Sequence, residues 1–124
     1  MREFAKAAGA IAICMRKNIR PRDLITRASL DNNLVLLMAL GGPTNGVLHF
    51  LAVAGTAQVP LSLEDIQKVS DRIPFLADFA PSGKFFMEDL YNIGGTPSVL
   101  KLLLAAGFLN GQIPTVTGKT LAEM

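Results

Sequence analysis

"GGPTNGVLH", residues 41–49, lies between two apolar runs, "NLVLLMAL" (33–40) and "FLAVAG" (50–55). How this stretch is read decides the fold. Adjacent glycines stop a helix, because glycine enters the left-handed turn that ends one without a steric penalty. A proline directly after them suits the first position of a new helix, where its missing N–H is not needed. The pattern predicts a helix from Thr26 or Ser29 to Leu40, a break at Gly41–Gly42, and a second helix opening at Pro43 with Gly42 as its cap. That second helix is apolar nearly all round, which predicts burial on most sides. Thr44, Asn45 and His49 are the polar groups of its first turns, and Asn45 and His49, four apart, share one face.

Working toward the N-terminus, Phe4, Ala8, Ile11 and Met15 follow helical spacing and predict a core-facing helix over about 3–17. Pro21 breaks the chain there and disfavours a helical Arg20. Toward the C-terminus, Ser62 caps a helix, with Asp65 completing a capping box and Leu61 and Ile66 placed as a hydrophobic staple. Ile66, Val69 and Ile73 form its buried stripe, and Pro74 closes it. "PFLADF" (74–79) reads as a short strand or extended piece, followed by a turn at "APSGK" (80–84). A helix over about 86–93 puts Phe86, Leu90 and Ile93 on one face and stops at Gly94–Gly95. Thr96 and Pro97 then open another, packed through Leu100, Leu103 and Leu104 and ended by Gly107. "TVTG" (115–118) reads as a late strand. Thr120 and Glu123 form a capping box for a helix that the sequence stops inside, so the expectation is a chain truncated relative to the fold it encodes.

Half of the 124 residues are hydrophobic and 18% are charged. A chain of this length holds one small domain with a real core, and disorder is excluded by the apolar content. The apolar surplus predicts a surface covered by a partner subunit or by further chain. No run approaches the roughly 20 apolar residues that cross a bilayer. A net charge of +2 is too small to imply nucleic acid. Arg16, Lys17, Arg20, Arg22 and Arg27 crowd one region without interleaved aromatics, and read as a solvated helix end and loop. Cys14, the single cysteine, sits in "AIAICM" as a packed thiol and excludes an internal disulfide. One Cys and one His cannot close a zinc site.

The remaining motifs carry weak chemistry. Free N–H groups where GGPTN opens a helix suit an anion, but Pro43 removes one donor, and helix punctuation is the favoured reading. His49 has no sequence-local carboxylate to orient it and reads as a hydrogen-bonded core residue. Ser82, Gly83 and Lys84 have the parts of a phosphate or carboxylate grip, as does any surface turn. "TVTGKT" (115–120) lacks the first glycine of a P-loop, since Ile113 stands there. Glu64–Asp65 and Glu88–Asp89 are neighbours on helices, so each pair diverges by about 100° and makes no paired-carboxylate site.

Taken in order, "NIRPRDLIT" (18–26), "MALGGPTNGVLHFLAVA" (38–54), "SDRIPFLADFAPSGKFFMEDLYNIGGTPSVLKLLLAAG" (70–107) and "TVTGKTLAE" (115–123) resemble the middle of the dihydroxy-acid/phosphogluconate dehydratase family. Within that family, "LADFAPSGKFFMEDL" (76–90) and "VLHFLAVA" (47–54) resemble the dihydroxy-acid dehydratases rather than the sugar-acid members. Pro43 stands where the family commonly has Ser and Gly46 where it has Ala. "NGQIPTVTG" (110–118) replaces a usual "HGDCLTVTG".

The resemblance implies a hydro-lyase that turns a 2,3-dihydroxy acid into a 2-keto acid for valine and isoleucine synthesis, a homodimer when complete. It implies an iron–sulfur cluster on three cysteines, a magnesium ion held by carboxylates and a modified lysine, and a serine base. None of those groups maps onto this chain, so no catalytic, cofactor-binding or metal residue is carried over. Thr44, Asn45 and His49 are expected to pack beneath the cluster and substrate site. Residues 1–124 are expected to be a mostly helical part of the N-terminal α/β domain of a two-domain dehydratase, cut at both ends and inactive alone. The compartment would be cytoplasmic in bacteria and mitochondrial or plastid in eukaryotes. The alternatives are a sugar-acid or phosphogluconate dehydratase segment, and a non-catalytic helical interaction module.

Overall fold

The computed structural model describes residues 2–80 and 83–124. Among them the order is α1 (Arg2–Lys17), α2 (Pro21–Leu24), α3 (Arg27–Ala39), α4 (Thr44–Ala57), α5 (Leu63–Arg72), α6 (Met87–Asn92), α7 (Gly95–Ala105) and a closing 3-10 turn (Leu121–Glu123). Extended pairing among the described residues is confined to two isolated bridges, Phe79 with Phe85 and Pro114 with Thr120. The described chain is thus mostly helical. Among the described residues no helix is long and apolar enough to cross a membrane.

α3 is the hub, packing against α4, α5 and α7, while α6 packs on α7. Leu34, Val35 and Ala39 of α3 are fully buried among Ile66, Val69 and Ile73 of the α5 stripe, Leu103 of α7, and Leu109. The predicted stripe of α5 is therefore the one that is buried. Its cap is also the predicted one: the Ser62 hydroxyl accepts from the Asp65 N–H at 3.2 Å, and the Asp65 carboxylate accepts from the Ser62 N–H at 3.0 Å. Thr26, one of the two expected caps, starts α3 and accepts from the Ser29 N–H.

The α3–α4 break forms as the glycines dictate. Gly41 is left-handed (φ 64°), and the Gly42 N–H donates to the Leu37 carbonyl at 2.8 Å while the Gly41 N–H donates to Met38 at 3.1 Å. This paired closure satisfies carbonyls that a helix end leaves open. Pro43 is extended (ψ 158°) and serves as the cap of α4 rather than its first residue, one position later than expected.

Several expectations are corrected. Pro21 does not simply break the chain: it opens α2, with Arg20 extended before it and the Arg20 N–H donating to Asp23 at 2.8 Å. α1 is not core-facing, since Phe4 is 82% and Met15 78% exposed. α4 is not buried on most sides. Val47, Phe50 and Leu51 pack toward the core, but Leu48 is exposed and Ala54 alone is fully buried. One neighbouring helix cannot cover a helix that is apolar all round. On α6, Leu90 is buried but Phe86 and Ile93 are exposed, because α7 takes only one side. α7 is capped by Gly94 (φ 110°) and begins at Gly95, ahead of Thr96 and Pro97. "TVTG" is a turn, closed by the Gly118 N–H on the Thr115 carbonyl at 3.0 Å.

Candidate functional site

The turn at 41–43 does not stand alone. The segment after α5 crosses it: the Leu76 N–H donates to the Ala39 carbonyl at 2.9 Å, and the Phe75 ring lies directly against Gly41. A β-carbon at Gly41 would collide with that ring. Farther on, the loop folds back on itself, with the Phe85 N–H donating to Asp78 at 3.0 Å and the Ala80 N–H to Phe85 at 2.7 Å. Gly83 sits so close to the Asp78 backbone that no side chain fits there. Between turn and loop lies a cavity of about 340 Å³, lined by Leu37, Leu40, Gly41, Pro43, Phe79 and Met87 among others. The structure therefore brings together the two stretches that stood out in the sequence, one from each side of α5.

The polar candidates stand outside that cavity. Thr44, Asn45 and His49 are all exposed along the first turns of α4. The reading of His49 as a hydrogen-bonded core residue is thus corrected: α4 leaves it on the flank that α3 does not cover. Of the "PSGK" group, Ser82 lies outside the described residues, and Lys84 is exposed.

The other motifs resolve into structure. "TVTGKT" pairs its own backbone, with the Thr115 N–H donating to Lys119 at 2.9 Å. It is tied to α1 by the Lys17 ammonium on the Gly118 carbonyl at 3.0 Å and the Cys14 thiol on the Val116 carbonyl at 3.5 Å. One member of each acidic pair, Asp65 and Asp89, is a cap. The Asp89 carboxylate accepts from the Phe86 N–H at 2.7 Å. Asp65 is held down to a pKa of about 2, first by the Arg27 guanidinium, then by the Ser62 N–H and hydroxyl. Arg27 spans the starts of α3 and α5, reaching Asp31 at 2.9 Å, Asp65 at 3.2 Å and the Pro60 carbonyl at 3.0 Å. The basic region is accordingly more than a solvated end. Arg20 pairs with Asp23, and Arg22 donates to Gln58 at 3.1 Å.

The donor set does not fit the implied cofactors. Cys14 is the single cysteine of the sequence, and a three-cysteine cluster needs two more. Among the described residues no three of His, Cys, Asp and Glu come together as a metal site. Two of the contacts that sequence reasoning missed hold the turn and the hub helix: the Asn32 carboxamide on Asn110, and the Phe75 ring on Gly41. Neither has a local signature, because each partner lies more than thirty positions away.

Comparison with known proteins supplies what the geometry does not. A family model described as dihydroxy-acid/6-phosphogluconate dehydratase N-terminal matches residues 1–124. The chain is 51% identical over 122 residues to a dihydroxy-acid dehydratase of Thermosynechococcus vestitus, covering 98% of this chain and 22% of that protein. It is 53% identical over 121 residues to the mitochondrial dihydroxy-acid dehydratase of Schizosaccharomyces pombe, covering 98% and 20%. It is 54% identical over 109 residues to the chloroplastic dihydroxy-acid dehydratase of Arabidopsis thaliana, covering 88% and 18%. The chain spans about a fifth of the length of these relatives.

Proposed function

Because the chain belongs to the dihydroxy-acid/6-phosphogluconate dehydratase N-terminal family, we propose that it supplies one segment of a hydro-lyase that converts a 2,3-dihydroxy acid to a 2-keto acid in branched-chain amino-acid synthesis. The observation that carries this reading is the match along all of residues 1–124, together with about 50% identity to relatives named dihydroxy-acid dehydratase. Residues 1–124 then form part of an N-terminal α/β domain in a two-domain, homodimeric protein. Cellular location follows the source: the yeast and plant relatives are named mitochondrial and chloroplastic, and a bacterial protein would be cytoplasmic.

In this reading the segment is a scaffold. The iron–sulfur cluster, the magnesium ion and the base belong to other parts of the enzyme, because this sequence has a single cysteine and its described residues hold no cluster of carboxylates. What its own residues do is fix a rigid turn. The closure at Gly41–Gly42 and the Phe75 contact set the direction in which α4 leaves α3. Thr44, Asn45 and His49 are thereby presented on a defined flank, where they pack beneath the cluster and substrate site. The 124 residues alone are inactive.

The test is a chimera. The matched 122 residues of the T. vestitus enzyme are replaced by this chain, and dehydration of a 2,3-dihydroxy acid and of 6-phosphogluconate is assayed. Turnover of the dihydroxy acid by the chimera, with none by the isolated chain, is the expected result. An inactive chimera beside an active parent, or a preference for 6-phosphogluconate, sinks the assignment. Unaided turnover by the isolated chain sinks the scaffold role.

A further inference from the structure

α1 has an open apolar flank with a definite shape. Ala7, Ala10 and Cys14 follow one another at three- and four-residue spacing and so share a face. They floor a groove of about 720 Å³, walled by Ile19, Leu24 and Val116. Ile11 and Met15 border the same groove at 64% and 78% exposure. Small residues in the floor and large apolar ones at the edge let another packed element approach closely and be gripped. An apolar surface of this kind on a free protein marks an interaction site. Among the described side chains the charges nearby are mainly basic: Arg20 lines the groove and Arg16 and Lys17 end α1, while the neighbouring acids are engaged, Asp23 with Arg20 and Glu123, close to Lys17, with the Thr120 N–H and hydroxyl.

We propose that this groove is covered by the remaining body of a dehydratase of the same family, through an apolar face that carries carboxylates. The proposal rests on the functional reading above, and deepens it by naming where the segment meets the rest of the enzyme. Two observations select this occupant. The relatives are about five times as long as this chain, so ample chain lies outside the matched segment to cover it. The basic rim favours an acidic border over a second copy of this chain, whose own rim is basic.

Cys14 provides the readout, because it sits in the groove floor and is the chain's single cysteine. Its alkylation by a maleimide is followed by peptide mapping in the isolated chain and in the T. vestitus chimera. Covering the groove slows modification in the chimera by about tenfold or more, since a thiol reacts only where reagent reaches it. In the chimera, Ile11→Asp lowers soluble yield or restores Cys14 reactivity, whereas Ile11→Leu does neither. Equal Cys14 rates in chain and chimera overturn the proposal. So does a folded Ile11→Asp chimera with Cys14 still protected, or an unsubstituted chimera that fails to fold. Protection in the isolated chain that grows with its concentration assigns the groove to a second copy and overturns it too. A folded chimera with Cys14 protected but no dehydration upholds the covered groove and refutes the function instead.

Discussion

Asn32 holds Asn110 by both of that residue's backbone groups. Its Nδ2 donates to the Asn110 carbonyl at 2.9 Å, and its Oδ1 accepts from the Asn110 N–H at 2.8 Å. The two residues are 78 positions apart, and Asn32 is buried on α3. This one carboxamide joins the hub helix to the loop that follows α7. In Asn32→Asp the donor becomes an acceptor facing a carbonyl, and a buried polar group loses its partner. The expected destabilisation is about 2 kcal/mol, read from the urea midpoint; an unmoved midpoint would remove the clamp from the account.

Asp65 gives the fold a pH dependence at the acid end. Its folded pKa is lowered to about 2 from the ordinary value of 3.8, by Arg27 first and the Ser62 cap second. A depressed carboxylate contributes stability that is fully present above its unfolded pKa and lost as pH falls through its folded pKa. The window therefore runs from about pH 4 down to about pH 2. Asp65→Asn removes the titrating group, so wild type and variant should differ in melting temperature at pH 5 and converge toward pH 2. A constant difference across that range would show that Asp65 does not titrate as the geometry requires.

Gly41 and Phe75 should be energetically coupled. Gly41→Ala meets two obstacles, a left-handed backbone at φ 64° and the Phe75 ring. The backbone part alone is about 1–2 kcal/mol, and displacing the ring adds to it. In a Phe75→Ala background the second part disappears. A double-mutant cycle is then expected to return a coupling of about 1 kcal/mol, and strict additivity would mean that the ring yields freely.

Asn45 separates stability from activity. It is exposed at the start of α4, so Asn45→Ala should change the isolated chain's stability by less than about 0.5 kcal/mol. In the active chimera the same substitution should lower kcat or the iron content of the purified protein. Unchanged kinetics and iron would free Asn45 from any role beneath the site.

The local devices of this protein were legible residue by residue. Ser62 with Asp65, Thr26, Gly41 and Gly107 all act where their chemistry places them, because caps and left-handed turns depend on groups within about one helical turn. The α5 stripe was legible for the same reason: a single face with strong periodicity has one way to be buried. The faces of α1, α4 and α6 were not. Apolar spacing says that a surface wants cover, and it does not say which neighbour provides it. The candidate site divides likewise, since the motifs at 41–49 and 76–90 were visible while their meeting across one cavity was not.

Sequence by itself thus determined the main helices, the caps at Thr26 and Ser62, and the family, since each is written in short-range chemistry or in contiguous motifs. Only the tertiary structure decided that α3 is the hub, that Phe75 lies on Gly41, that Asn32 grips Asn110, and that Thr44, Asn45 and His49 face outward. Those facts depend on contacts between residues far apart in the chain, and such contacts are fixed by how whole faces pack rather than by any local pattern.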